Sequence, residues 1–147
     1  MSASIPASTK LWILIIDDSP TIRQYIRRIL EESLESIEIV EAGNGRQALE
    51  RLDEGQPIDL IFLDETMAGM RGQEFLDLSL GLLDAWNTGI IMLTSVNTLE
   101  LRQKFKNEKL IRYLHKPSLK EDILKAAFEL LRMTGSIERT APAKIKD

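Results

Sequence analysis

The chain has 147 residues, with 19 Lys and Arg against 23 Asp and Glu, for a formal net charge of −4. Hydrophobic residues make up 44% and charged residues 29%, enough apolar material for one packed domain and too much for a disordered acidic tail. The lack of cysteine excludes disulfides, thiol nucleophiles and thiolate metal sites, and the single histidine, His115, argues against imidazole clusters and a Ser-His-Asp triad.

The longest apolar stretch, Leu11 to Ile16, is far below the ~20 residues that cross a bilayer. Met1 to Lys10 has no basic segment leading into an apolar one, so no secretory signal is visible. A cytoplasmic protein without membrane attachment is the expectation, and mild acidity argues against nucleic-acid binding by this segment.

Residues 1–10 are small and polar and contain Pro6, which suits a flexible arm. Leu11 to Ile16 is a continuous apolar run, the pattern of a strand covered on both faces, and it stops at Asp17-Asp18. Ser19-Pro20 then opens a helix predicted to about Glu35, with Ile22, Ile26, Ile29 and Leu30 at helical spacing and Arg23, Arg27 and Arg28 between them. Ile37 to Ala42 reads as a short strand, and Asn44 with Gln47 as the cap of a helix over about Arg46 to Glu54. Ile58 to Leu63 is a second buried strand, again ending in a carboxylate, Asp64.

A glycine-containing loop leads to a helix over about Gln73 to Trp86, and Ile90 to Leu93 is an apolar strand ending in Thr94-Ser95. Asn97 with Glu100 suits the cap of a helix over about Thr98 to Asn107; Leu110 to His115 is the last strand, before Lys116-Pro117. Ser118 and Glu121 read as a capping box for a helix over about Leu119 to Arg132, and Thr134 to Asp147 as a tail or linker. Five strand–helix pairs in alternation call for a parallel sheet with helices on both faces and right-handed crossovers.

Open parallel sheets bind ligands outside the carboxyl ends of their strands. Asp17-Asp18, Asp64, Thr94-Ser95 and Lys116-Pro117 all fall at such ends. Three carboxylates gathered at one edge repel unless a cation joins them, and Mg²⁺ suits a site of few carboxylates, a carbonyl and waters. Lys116 adds a fixed positive charge and Thr94 a hydroxyl, which describes a seat for a phosphoryl group beside the metal. Asp64 stands alone between the others and is the expected nucleophile, forming an acyl phosphate, while Asp17 and Asp18 grip the metal.

In these residues the chain from Trp12 to about Met133 resembles the receiver domain of two-component response regulators. The matching positions are Asp17-Asp18, Asp64 with Met67 and Gly72 following it, Thr94 before the small Ser95, Tyr113, and Lys116-Pro117. The resemblance implies a flavodoxin-like doubly wound (βα)5 sandwich with strand order 2-1-3-4-5. It implies a receiver over 11–133, flanked by the arm 1–10 and the tail 134–147. It also implies that Asp64 is phosphorylated by a histidine kinase or histidine phosphotransfer protein, that the main-chain carbonyl of Thr66 completes the metal site, and that Thr94, Ser95 and Lys116 hold the phosphoryl group. Thr94 and Tyr113 would form the switch, with output to a downstream protein target, or a homodimer, through the face of helix four, strand five and helix five.

Ala68 departs from the family pattern, standing where proline commonly follows the methionine. Glu65 adds a carboxylate beside the acceptor, and alternation points it away from the site. The basic stretch Arg102, Lys104, Lys106, Lys109 and Arg112 reads either as a solvated face or as a dock for an acidic partner. Thr66 and Val96, flanking the path of an attacking water, are not strong bases, so slow to moderate self-hydrolysis is expected.

Two other functions compete. A receiver-like interaction module without phosphoryl chemistry is disfavoured by the intact Asp17, Asp18, Asp64, Thr94 and Lys116. A Mg²⁺-dependent aspartyl-phosphate phosphatase of the haloacid dehalogenase type places its nucleophile and a second Asp on the first strand, which Asp17-Asp18-Ser19 does not match.

Overall fold

A computed structural model describes residues 10–95 and 98–139. The expected arm, apart from Lys10, lies outside the described residues, as do Val96 and Asn97 and with them the expected Asn97 cap. In chain order the elements are β1 (Leu11–Ile16), α1 (Pro20–Ser33), β2 (Ile37–Ala42), α2 (Gly45–Asp53), β3 (Leu60–Asp64) and α3 (Gly72–Trp86). They continue with β4 (Gly89–Thr94), α4 (Leu99–Lys104), β5 (Ile111–His115), α5 (Lys120–Met133) and α6 (Ser136–Arg139). The strands form one parallel sheet in the order β2-β1-β3-β4-β5, as the resemblance implied.

Alternation along the strands divides the apolar residues into two layers. Leu14, Ile16, Ile61, Leu63, Ile90 and Met92 pack against α2, α3 and α4 through Ala48, Leu52, Phe75, Leu76, Leu83 and Leu101. On the opposite face Ile13, Ile15, Phe62, Ile91 and Leu93 meet α1 and α5 through Ile26, Leu30, Ile123, Ala127 and Leu130. Each fully buried Leu, Ile or Phe contributes about 1.5–3 kcal/mol of transfer free energy. Burial on both faces explains why the central strands read as unbroken apolar runs.

Local signals set the helix starts. The Ser19 hydroxyl accepts from the Ile22 amide at 3.3 Å with Pro20 in the first turn. Asn44 Oδ1 accepts from the Gln47 amide at 2.8 Å while Gln47 Oε1 accepts from the Gly43 amide at 2.7 Å, so that predicted cap is present.

Three expectations need correction. Helix α4 stops at Lys104 rather than Asn107: Phe105 leaves the helical dihedrals, with φ −106° and ψ 24°, and a turn follows in which the Glu108 amide donates to the Phe105 carbonyl at 2.9 Å. Ser118 does not cap α5: its hydroxyl donates to the His115 carbonyl at 2.8 Å, and Leu119 occupies the cap. The segment read as tail begins with the one-turn helix α6, whose Ser136 is buried and donates to Asp59 Oδ1 at 3.4 Å, while Ile137 packs on the α1/α5 layer. Among the described residues no helix is long and apolar enough to cross a membrane.

Candidate functional site

The register of the sheet brings the ends of β1, β3, β4 and β5 to one edge. Asp17 directly follows β1, Asp64 closes β3, Thr94 closes β4, and Lys116 directly follows β5. The Lys116 amide donates to the Thr94 carbonyl at 2.6 Å, and the Asp17 amide to the Ala42 carbonyl at 3.1 Å, so ladder-like bonds fix the backbone below each side chain.

Asp17 is fully buried, Asp64 is 3% exposed and Asp18 faces solvent. One carboxylate oxygen from each of the three lies within 4.8 Å of the other two. Lys116 Nζ sits between two of them, 2.8 Å from Asp17 Oδ2 and 3.2 Å from Asp64 Oδ1. Asp17 Oδ1 accepts from the Ser19 amide at 2.9 Å, and Asp64 Oδ1 from the Thr66 amide at 3.1 Å. Oxygen donors from three carboxylates in so small a space match a hard divalent cation with retained waters.

Burial pushes the Asp64 carboxyl above the usual carboxylate range and the Asp17 charge adds to it; Lys116 and the Thr66 amide act in the opposite sense. Burial alone would lower Lys116, but the hydrogen bond and charge of Asp17, with the charge of Asp64, outweigh it and hold the ammonium protonated above its ordinary value.

The remaining predicted residues lie around this centre. Thr94 is buried at the end of β4, Ser95 beside it is exposed, and Thr66 is exposed in the loop after β3. Tyr113 is half-buried on the α4 side of β5: its hydroxyl donates to the Leu101 carbonyl at 3.3 Å, and the Arg102 guanidinium stands 4.7 Å from its ring centroid. The Lys116–Pro117 peptide is cis, and His115 points outward.

Two supporting residues escaped the sequence reading. Arg23 donates from Nη1 to the Asp17 carbonyl at 2.6 Å and from Nε to Glu41 Oε1 at 2.8 Å. Arg27 holds the other oxygen of Glu41 at 2.8 Å. The available signal was an arginine pair at i, i+4 on α1 with two acids, Glu38 and Glu41, in the strand that follows. Glu65 does point away from the acidic cluster, and its buried carboxylate accepts from the Gln73 amide at 3.0 Å, in the first turn of α3. Burial raises the Glu65 carboxyl above its ordinary value, against the Gln73 amide and the Arg71 charge.

The family description "Response regulator receiver domain" matches residues 13–128. The chain belongs to the response regulator receiver family. This receiver is 34% identical over 121 residues to the chemotaxis protein CheY of Halobacterium salinarum, covering 81% of this chain and 95% of that protein. Against the nitrate/nitrite response regulator NarP of Escherichia coli it is 38% identical over 76 residues, spanning 50% of this chain and 34% of NarP. The solved structure of Vibrio cholerae CheY4 superposes with a TM-score of 0.71 at 30% identity, over 83% of this receiver and 99% of CheY4. The matched part covers only 18% to 36% of three of the curated relatives, which are longer proteins. Receivers are signalling phosphoacceptors and bind Mg²⁺ at an acidic pocket, and the Asp17, Asp18 and Asp64 cluster fits that description.

Proposed function

We propose that Asp64 accepts a phosphoryl group from a phosphohistidine on a histidine kinase or phosphotransfer protein, and that the resulting change of surface controls a protein partner. The observation carrying this reading is the Lys116 ammonium held between Asp17 and Asp64, inside a cluster of three carboxylates, at the carboxyl edge of the sheet. Asp17, Asp18, Asp64 and the Thr66 carbonyl would hold Mg²⁺, which would neutralise charge on the transferring oxygens.

An Asp64 carboxylate oxygen attacks phosphorus, the P–N bond to the donor imidazole breaks, and the imidazole leaves with its electron pair and takes a proton from water. Lys116 neutralises the phosphoryl oxygens, and the Thr94 hydroxyl, with Ser95 beside it, donates to them. Phosphorylation takes the side chain from about −1 to roughly −2. That extra charge draws Thr94 inward, and Tyr113 follows by giving up its bond to the Leu101 carbonyl on α4.

Partner contact falls to the face of α4, β5 and α5, either with a downstream protein or with a second copy. On that face Lys104 and Arg112 are paired with Asp77 and Glu129 and Arg102 covers Tyr113, while Lys106 and Lys109 remain exposed to a partner. The site operates as a phosphoacceptor in the cytoplasm and not as a turnover enzyme.

The test is intact-protein mass spectrometry after incubation with acetyl phosphate and Mg²⁺. One phosphoryl adduct is expected on the native chain and none on Asp64→Asn. An unlabelled native chain would favour a module without phosphoryl chemistry, and labelling of the variant would move the acceptor elsewhere.

A further inference from the structure

A surface helix ordinarily carries one apolar stripe, turned to the core, with polar residues opposite. Helix α3 carries two. Phe75, Leu76 and Leu83 face inward, while Leu78, Gly81, Leu82 and Ala85, at i, i+3, i+4 and i+7, face solvent. Leu78 is 67% exposed and Leu82 41% exposed, and among the described residues they are the one pair of exposed large apolar side chains a turn apart on a helix. A side chain at Gly81 would meet nothing within 4 Å, so a second helix can approach the α3 backbone closely there.

The charge around this ridge selects what can cover it. From Gly72 to Trp86 there is no Lys or Arg, and the exposed acids Glu74, Asp77 and Asp84 lie beside the leucines. A second copy of the same face would bring like charges together. An anionic lipid surface or a nucleic acid would be repelled in the same way. The protein itself shows the complementary arrangement: Lys104 of α4 places its ammonium 2.8 Å from Asp77 Oδ2.

We infer that the outer face of α3 docks an amphipathic helix of a partner protein, with apolar residues over Leu78 and Leu82 and Lys or Arg against Asp84 and, in exchange for Lys104, against Asp77. This surface is separate from the acidic pocket and does not depend on phosphoryl chemistry there.

The probes are two labelled synthetic amphipathic helical peptides with leucines at i, i+3, i+4 and i+7, one flanked by lysines and one by glutamates, titrated with the full chain by fluorescence anisotropy. The lysine peptide is expected to bind at least tenfold more tightly than the glutamate peptide. Leu78→Asn with Leu82→Asn should weaken it at least tenfold while the circular dichroism spectrum stays native. Asp77→Lys with Asp84→Lys should reverse the preference, whereas Glu32→Lys with Glu35→Lys on the opposite side of the sheet, the same change in net charge, should leave it intact. Equal binding by the leucine variants, equal loss in the Glu32/Glu35 control, or a dimer in sedimentation equilibrium that Leu78→Asn dissolves would each overturn the inference.

Discussion

Arg23 binds the main-chain oxygen of Asp17 at 2.6 Å with the same guanidinium that grips Glu41 at 2.8 Å. The acidic end of β1 is thereby tied to β2 through a side chain of α1. Groups that orient metal ligands from behind often contribute tenfold or more to affinity. Arg23→Ala is expected to weaken Mg²⁺ binding about tenfold by isothermal titration, with partial recovery in Arg23→Lys, which keeps one charged donor and loses the fork. Unchanged affinity in Arg23→Ala would leave the arginine a purely structural tie.

Glu41 makes the same tie sensitive to acid. Burial would raise its carboxyl, but the hydrogen bonds and charges of Arg23 and Arg27 outweigh this and hold it below the ordinary 4.5. The unfolded chain then binds this proton more readily than the folded one, so the stabilisation is complete above 4.5 and disappears as pH falls through the lower folded value. Glu41→Gln should cost about 1 kcal/mol at neutral pH for so partly exposed a cluster. Its urea midpoint should also fall less than the native one between about pH 5 and about pH 3.

Asp64 carries the opposite sign to Glu41, and removal of Lys116 strengthens it. Without the ammonium, Asp17 and Asp64 face each other uncompensated, and Asp64 is pushed further above its ordinary value. A carboxyl with a raised folded-state value stabilises the protein below the unfolded value and loses that contribution as pH rises through the folded one. Lys116→Ala should lose about 2 kcal/mol at neutral pH, below the full cost of a dry broken pair because the site is partly open. It should recover part of this toward about pH 5, a trend that thermal melts across pH would reveal.

Gly72 touches the end of β3 directly. A methyl group there would sit 2.7 Å from the Asp64 carbonyl oxygen and 3.0 Å from the Glu65 Cα, both backbone atoms. Alanine normally favours a helix by up to about 1 kcal/mol over glycine, but backbone displacement of this kind costs about 1–3 kcal/mol, so the steric effect wins. Gly72→Ala is expected to melt lower and to label more slowly with acetyl phosphate; a higher melting temperature would show that the end of β3 yields freely.

The place of the candidate site was legible because buried parallel strands announce themselves as apolar runs, and the residue where each run stops is the residue at the edge. Asp17, Asp64, Thr94 and Lys116 needed nothing more to be placed there. Glu41 and Arg23 were hidden because their roles depend on which neighbour they meet across the fold, and for Glu65 the direction was legible but not its contact with the first turn of α3. The Ser118–Glu121 pattern failed for a related reason, since a serine before a helix can donate backward as readily as it can cap, and here its hydroxyl donates to the His115 carbonyl. The helix after Gly135 carried no apolar period to betray it, and its anchor, Ser136 on Asp59, is a long-range contact.

The sheet that divides the two apolar layers also divides their fates. A methylene lost under α3 and one lost under α1 have no common neighbours except strand backbones, so their energetic penalties sum with little cross-talk. A core substitution on one side of the sheet should therefore add to one on the other side without changing its cost.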